Sequence, residues 1–185
     1  MDRLKFQIII LAVVLSISVS CGDKRSMLKT LTEFTKTEIV LPEDLEVCAD
    51  GIFRIADMST LKPMKMIVYY DSTECSNCRI SHIMELEPLY RLSKEDGRFD
   101  VLIIFSPADE DIETVRLQLM YQDIPFPVYL DTFKTFSLMN SSIPQDIMFH
   151  SFMMDMDGKP VFVGNPTLDD VLNKVFEEVL YKCYI

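Results

Sequence analysis

The chain has 185 residues, 49% of them hydrophobic and 25% charged, with nine Pro, five Gly and five Cys. This near-average composition argues against intrinsic disorder, a collagen-like repeat or a multi-span membrane protein, and the length suits one domain with a sizeable core or two small ones at most. The net charge of -11 disfavours nucleic acid, which is held by Lys and Arg that displace counterions. Gly22, Gly51, Gly97, Gly158 and Gly164 are each isolated, so no loop offers the run of backbone amides that Rossmann and P-loop sites lay on a phosphate. No cofactor is expected.

Asp2, Arg3 and Lys5 precede an apolar stretch from Ile8 to Val19, which meets Ser20-Cys21-Gly22. It falls short of the roughly 20 residues a spanning helix needs and has the charged, apolar, small-residue order of a secretory signal. Ser18-Val19-Ser20-Cys21 resembles a relaxed lipobox, of the kind common in lipoproteins of the Bacteroides group, with Cys21 as the lipidated first residue after cleavage. Residues 1–20 are therefore read as a lipoprotein-type signal peptide, 21–40 as a tether with a short helix, and 41–185 as the folded domain. Loss of Asp2, Arg3 and Lys5 with the leader would leave 165 residues with 16 basic and 28 acidic side chains, a net charge of -12. The expected location is the cell envelope, anchored by lipid on Cys21 and facing the periplasm, where disulfides persist.

Gly22 to Ser26 is polar, and Met27, Leu28, Leu31 and Phe34 then recur at helical spacing. Asp50-Gly51 separates the β-prone runs Leu45 to Ala49 and Ile52 to Ala56, a hairpin signal because both turn positions tolerate positive φ. Met66 to Tyr70 reads as a strand buried on both faces. Ser72 to Asn77 reads as a loop, and Cys78 opens a helix that Pro88 kinks or ends. Asp96-Gly97 breaks the chain before a second buried strand, Val101 to Phe105. Asp109 to Gln122 reads as a helix with Ile112, Val115 and Leu119 on one face, its acidic Asp109-Glu110-Asp111 start solvated. Phe126 to Leu130 reads as a third short strand, followed by a polar-apolar connection through Pro144. Phe149 to Asp155 and Pro160 to Val163 flank Asp157-Gly158 as a second hairpin. Leu168, Val171, Leu172, Val175, Phe176, Val179 and Leu180 form one helical stripe, with Thr167 and Asp170 as a capping box. The order predicts an α/β domain with a central mixed sheet flanked by helices and an N-terminal hairpin extension.

Cys75-Ser76-Asn77-Cys78 stands where a buried strand gives way to a helix. The unpaired N–H groups of a helix N-terminus stabilise a thiolate, and the two-residue spacing lets a second thiol attack a mixed disulfide made by the first. Cys75 is thus the expected nucleophile and Cys78 the resolving thiol. The segment KMIVYYDSTECSNCRI, with FPVYLD and FHSFMMDMDGKPVFVGNP downstream, resembles the thioredoxin-like superfamily, and more closely its membrane-tethered TlpA/ResA-type members, over roughly Leu41 to Leu180. The resemblance implies a thioredoxin-like fold and an oxidoreductase that exchanges thiols and disulfides. Its partners would be exported proteins with cysteines or disulfides and a membrane electron donor.

Three positions depart from that family. Glu74 replaces the usual aromatic residue before the first cysteine, and a carboxylate there opposes the helix dipole and favours a reducing, less acidic thiol. The place of the family's cis-proline falls at or near Phe149, with His150 beside it. Tyr69 stands six residues before Cys75, where a buried carboxylate is usual, which leaves Asp71, Glu74 or water to accept a proton.

Alternative readings weigh against these. The chain would also suit a non-catalytic binding module of the envelope with an inert Cys75–Cys78 pair. The pair with His150 would make a three-ligand soft site for copper or zinc. His82 reads as a polar helix face. Met148, Met153, Met154 and Met156 read as core filling, because neighbours such as Met153 and Met154 point to opposite faces of a strand. Cys48 and Cys183 are left over, and the four cysteines besides Cys21 allow three pairings.

Overall fold

The structure is a computed structural model that describes residues 21–182. Residues 1–20, read above as a signal peptide, and Cys183 lie outside the described residues. Helix α1 (Cys21–Phe34) comes first, followed by the hairpin strands β1 (Glu46–Ala49) and β2 (Ile52–Ile55). Strand β3 (Met64–Tyr70) leads into α2 (Ser76–Ser81) and α3 (Glu87–Asp96), then β4 (Phe99–Phe105) and α4 (Ile112–Tyr121). After β5 (Val128–Leu130) and α5 (Thr135–Met139), the strands β6 (Ser151–Met154) and β7 (Pro160–Val163) and helix α6 (Asp170–Lys182) complete the chain described.

All seven strands join one sheet in the order β2-β1-β5-β4-β3-β6-β7. The centre is parallel, β3 with β4 and β4 with β5, while β1, β2, β6 and β7 pair antiparallel. Parallel neighbours need crossovers, and α2 with α3 supplies the first and α4 the second. Side-chain alternation splits the core in two. On one face Met66, Val68, Val101, Ile103 and Phe105 pack with Ile80, Leu89, Val115 and Phe176 from the helices. On the other, Ile67, Tyr69, Leu102 and Ile104 pack with Leu31, Phe34, Ile39 and Phe136. Helices on both faces explain why β3 and β4 read as continuous apolar runs. Met153 and Met154 do fall on opposite faces.

The first hairpin turns through Asp50 (φ 52°) and Gly51 (φ 71°), both left-handed. A Cβ on Gly51 would stand 2.7 Å from the Met120 carbonyl oxygen, so glycine is required there by space as well as by backbone geometry.

Several elements differ from the sequence reading. Helix α1 includes residues 22–26, which read as a tether, and 21–40 contributes Leu31, Phe34 and Ile39 to the core. The helix after the CSNC segment is two helices. His82 ends α2, a 3₁₀ turn spans Ile83–Leu86, and Pro88 lies in the first turn of α3, where its missing N–H leaves no helical bond unmade. Helix α5 has no counterpart in the sequence reading. It is too short for a periodic signal and is held by Asp131, a buried carboxylate that accepts from Thr135 N (2.9 Å), Phe136 N (3.0 Å) and Ser106 Oγ (2.8 Å). At α6 the cap is Asp169, which accepts from Val171 N at 2.6 Å, whereas Thr167 bonds Asn165. The stripe accordingly loses Leu168 (74% exposed) and Val171. Phe149 belongs to a 3₁₀ turn, Ile147–Phe149, rather than to β6.

Candidate functional site

Strand β3 delivers the chain to a loop shaped by Asp71, whose Oδ1 accepts from Thr73 N (2.8 Å) and Thr73 Oγ1 (2.5 Å). One oxygen of that carboxylate is thus engaged in the turn. Cys75 follows as the N-cap of α2, so the helix forms earlier than an opening at Cys78 implies, and Arg79 N donates to the Cys75 carbonyl at 3.0 Å. Cys75 and Cys78 are joined in a disulfide with their Cα atoms 5.3 Å apart. Cys78 N points to Cys75 Sγ at 3.3 Å, the donor that would favour a thiolate on Cys75 once the bond opens. Both cysteines are exposed. A dithiol partner therefore has access to either sulfur, and the second cysteine is not shielded as a purely resolving thiol would be.

Glu74 does not stand as an isolated charge. Its side chain is only 9% exposed, and Oε2 receives Arg79 Nη2 at 2.7 Å and Nε at 2.9 Å. The guanidinium also lies 5.3 Å from the centre of the Tyr70 ring. Arg79 thus shares the charge of Glu74, so the carboxylate beside Cys75 does not act alone on the motif. Arg79 is the residue that the sequence reading misses. Its signal is a cation directly after Cys78 and one helical turn from Cys75.

The other Glu74 oxygen faces the segment before β6. His150 Nδ1 lies 3.5 Å from Oε1, the imidazole is 5% exposed, and Nδ1 is buried without a hydrogen-bond partner. Tyr69 N donates to the His150 carbonyl at 2.8 Å, and the two rings meet at a tilt of 56° with centroids 5.3 Å apart. His150 thus stands beside the motif loop, as counting from the second hairpin implies. Phe149 does not, because its buried ring packs edge-on against Phe34 at 5.8 Å. Burial pushes the Tyr69 phenol up, and the Ser106 and Ser137 hydroxyls offset part of that shift. Tyr69 is therefore protonated at neutral pH and is no substitute for a buried carboxylate.

A cavity of about 340 Å³ opens beside the loop, lined by Tyr69, Asp71, Ser72, Ser106, Lys134 and His150 among others. His82 is exposed on the far end of α2 with Nδ1 3.2 Å from Glu85 and takes no part in the site. Among the described residues no group of three or more His, Cys, Asp or Glu is placed to hold a metal ion. Cys48 is a free, buried thiol on β1, pushed up by burial and within 3.5 Å of the Leu119 carbonyl. What the arrangement offers chemically is an accessible disulfide at a helix N-terminus, backed by an Arg79–Glu74 pair and an imidazole whose Nδ1 has no hydrogen-bond partner. No family model matches the chain, and neither a curated protein nor a solved structure matches it.

Proposed function

We propose that this chain is a thioredoxin-like, lipid-anchored protein of the cell envelope that catalyses thiol-disulfide exchange through Cys75 and Cys78. The observation that carries the reading is the Cys75–Cys78 disulfide at the N-terminus of α2 with both residues at the surface. Structural disulfides gain nothing from a helix N-terminus, whereas a nucleophilic thiolate does. Supporting the fold assignment are the strand order and the place of the pair directly after the central parallel strand β3. The envelope location rests on the leader-like 1–20 and the lipobox-like Ser18 to Cys21.

In the reduced protein, Cys75 thiolate attacks one sulfur of a target disulfide, forming a mixed disulfide and expelling the target's other sulfur as thiolate. Cys78 then gives up its proton and attacks Cys75 Sγ. The Cys75–Cys78 bond reforms, the second target sulfur leaves, and the protons lost by the two protein thiols end on the target thiols. The same steps in reverse oxidise a target dithiol. Partners would be exported proteins with cysteines or disulfides, and a membrane electron donor would restore the reduced pair.

Trapping tests the assignment. A Cys78→Ser chain expressed with its leader is expected to accumulate covalent adducts through Cys75 that dissolve on reduction. Absence of adducts, together with no turnover of a synthetic disulfide by the unaltered chain, would refute it.

A further inference from the structure

Deepening the exchange reading, on which it rests, we infer that His150 is the proton-bearing partner of the Cys75–Cys78 pair, its protonation linked to opening of the disulfide through Glu74. Three observations meet at this residue. The imidazole is buried, with an Nδ1 that no protein group satisfies. A buried polar atom left unpaired is costly, so it calls for an explanation. That same Nδ1 faces the Glu74 oxygen that Arg79 leaves free, and His150 lines the cavity that opens beside the loop.

The charges around His150 decide how it responds. Facing it are Glu74 from the loop, Arg79 behind Glu74 on α2, Tyr69 from β3, Asp71 at the end of β3 and Lys134 at the start of α5. Asp71 keeps its charge while its Oδ1 accepts from Thr73, Lys134 lies 2.6 Å from Asp109, and Tyr69 is neutral. With the disulfide closed, Glu74 is the carboxylate that faces Nδ1, and Arg79 shares its charge. Reduction by a dithiol such as dithiothreitol changes this balance. The reductant's two thiols become its disulfide, Cys75–Cys78 becomes one thiolate and one thiol, and one proton is left over. A negative charge has appeared next to Glu74, and His150 Nδ1 is the unsatisfied site that receives the proton. Linkage is reciprocal, so a proton on His150 in turn favours the Cys75 thiolate.

The chain has only two histidines, so an NMR titration of the imidazoles in the full chain reads the linkage directly, with exposed His82 as the internal reference. We expect the His150 midpoint to lie at least about 0.5 pH unit higher in the dithiothreitol-reduced protein than in the oxidised one, as a new neighbouring negative charge requires, while His82 moves less. In parallel, His150→Asn should shift the pH profile of Cys75 alkylation upward by a similar amount. Equal His150 midpoints in the two redox states, or an alkylation profile unchanged by His150→Asn, would overturn the inference. The exchange reading fails separately: if the Cys78→Ser chain traps no adducts while His150 still shifts, exchange falls and the linkage stands. Adducts with an unmoved His150 do the opposite, leaving exchange in place and removing the linkage.

Discussion

Cys75→Ser is expected to reduce turnover of a synthetic disulfide to background, a loss of roughly three orders of magnitude or more, as removal of a nucleophile does in enzymes that depend on one. Cys78→Ser should also lose turnover while keeping the first step, so one equivalent of adduct forms and stays. The difference between the two variants follows from the helix end. Cys75 is the N-cap, and Cys78 N is directed at its sulfur, whereas Cys78 lies within α2. Because both residues are exposed, steric access does not separate them, and the preference must come from thiolate stabilisation. Stopped-flow kinetics with the two variants distinguishes the roles. Equal first-step rates through either cysteine would remove the assignment of Cys75 as nucleophile.

Phe34→Ala is expected to cost about 3–5 kcal/mol of folding stability, the range for emptying a buried aromatic site. Phe34 is 1% exposed and meets Phe149 and Phe152 edge-on, with centroids 5.8 and 5.2 Å away. It thereby connects α1 to β6 and to the turn that precedes His150. Against a typical domain stability of about 5–15 kcal/mol, such a loss leaves the protein close to unfolding. Lys29→Ala, on the solvent side of the same helix, should change stability by no more than about 0.5 kcal/mol. Denaturant melts of both variants decide whether 21–40 is part of the domain. Similar costs for the two would mean that α1 contributes no packing.

The strands are legible in the sequence because their signals are local. Asp50-Gly51 announces a turn that needs two positive φ values, and the apolar runs of β3 and β4 follow from burial on both faces. The placement of Cys75 at a strand-to-helix junction is legible for the same reason. What escapes depends on partners distant in the chain. Asn140 bonds both the N–H and the carbonyl of Val40, 100 residues away, and this latch, together with Asp131, orders a stretch that reads only as a polar-apolar connection. At α6, Asp169 takes the cap that Thr167 and Asp170 would offer, since Thr167 is held by Asn165. Pro88 reads as a helix stop although its chemistry suits a helix start equally well, and only the break at His82 shows which applies.

At the site, residue types are easier to foresee than their electrostatic roles. Glu74 is visible beside Cys75, but its effect depends on Arg79, whose side chain reaches back across the first turn of α2. Counting along the second hairpin places His150 near the motif. That its Nδ1 is left without a partner while facing Glu74 is a tertiary fact. Tyr69, at the place of a buried carboxylate, stays protonated because burial pushes its phenol up, and that Asp71 turns one oxygen to Thr73 is likewise visible only in the structure.

Whether Cys75–Cys78 is a working bond or a fixed crosslink decides what the chain can do. Equilibrating the folded chain with graded ratios of reduced and oxidised dithiothreitol, then alkylating and mapping the labelled peptides, measures this directly. The expected result is reversible opening of Cys75 and Cys78 together in the native protein, with a two-electron dependence on the dithiothreitol ratio and with buried Cys48 unlabelled. A pair that resists reduction until the protein unfolds would contradict thiol-disulfide exchange and identify the disulfide as structural.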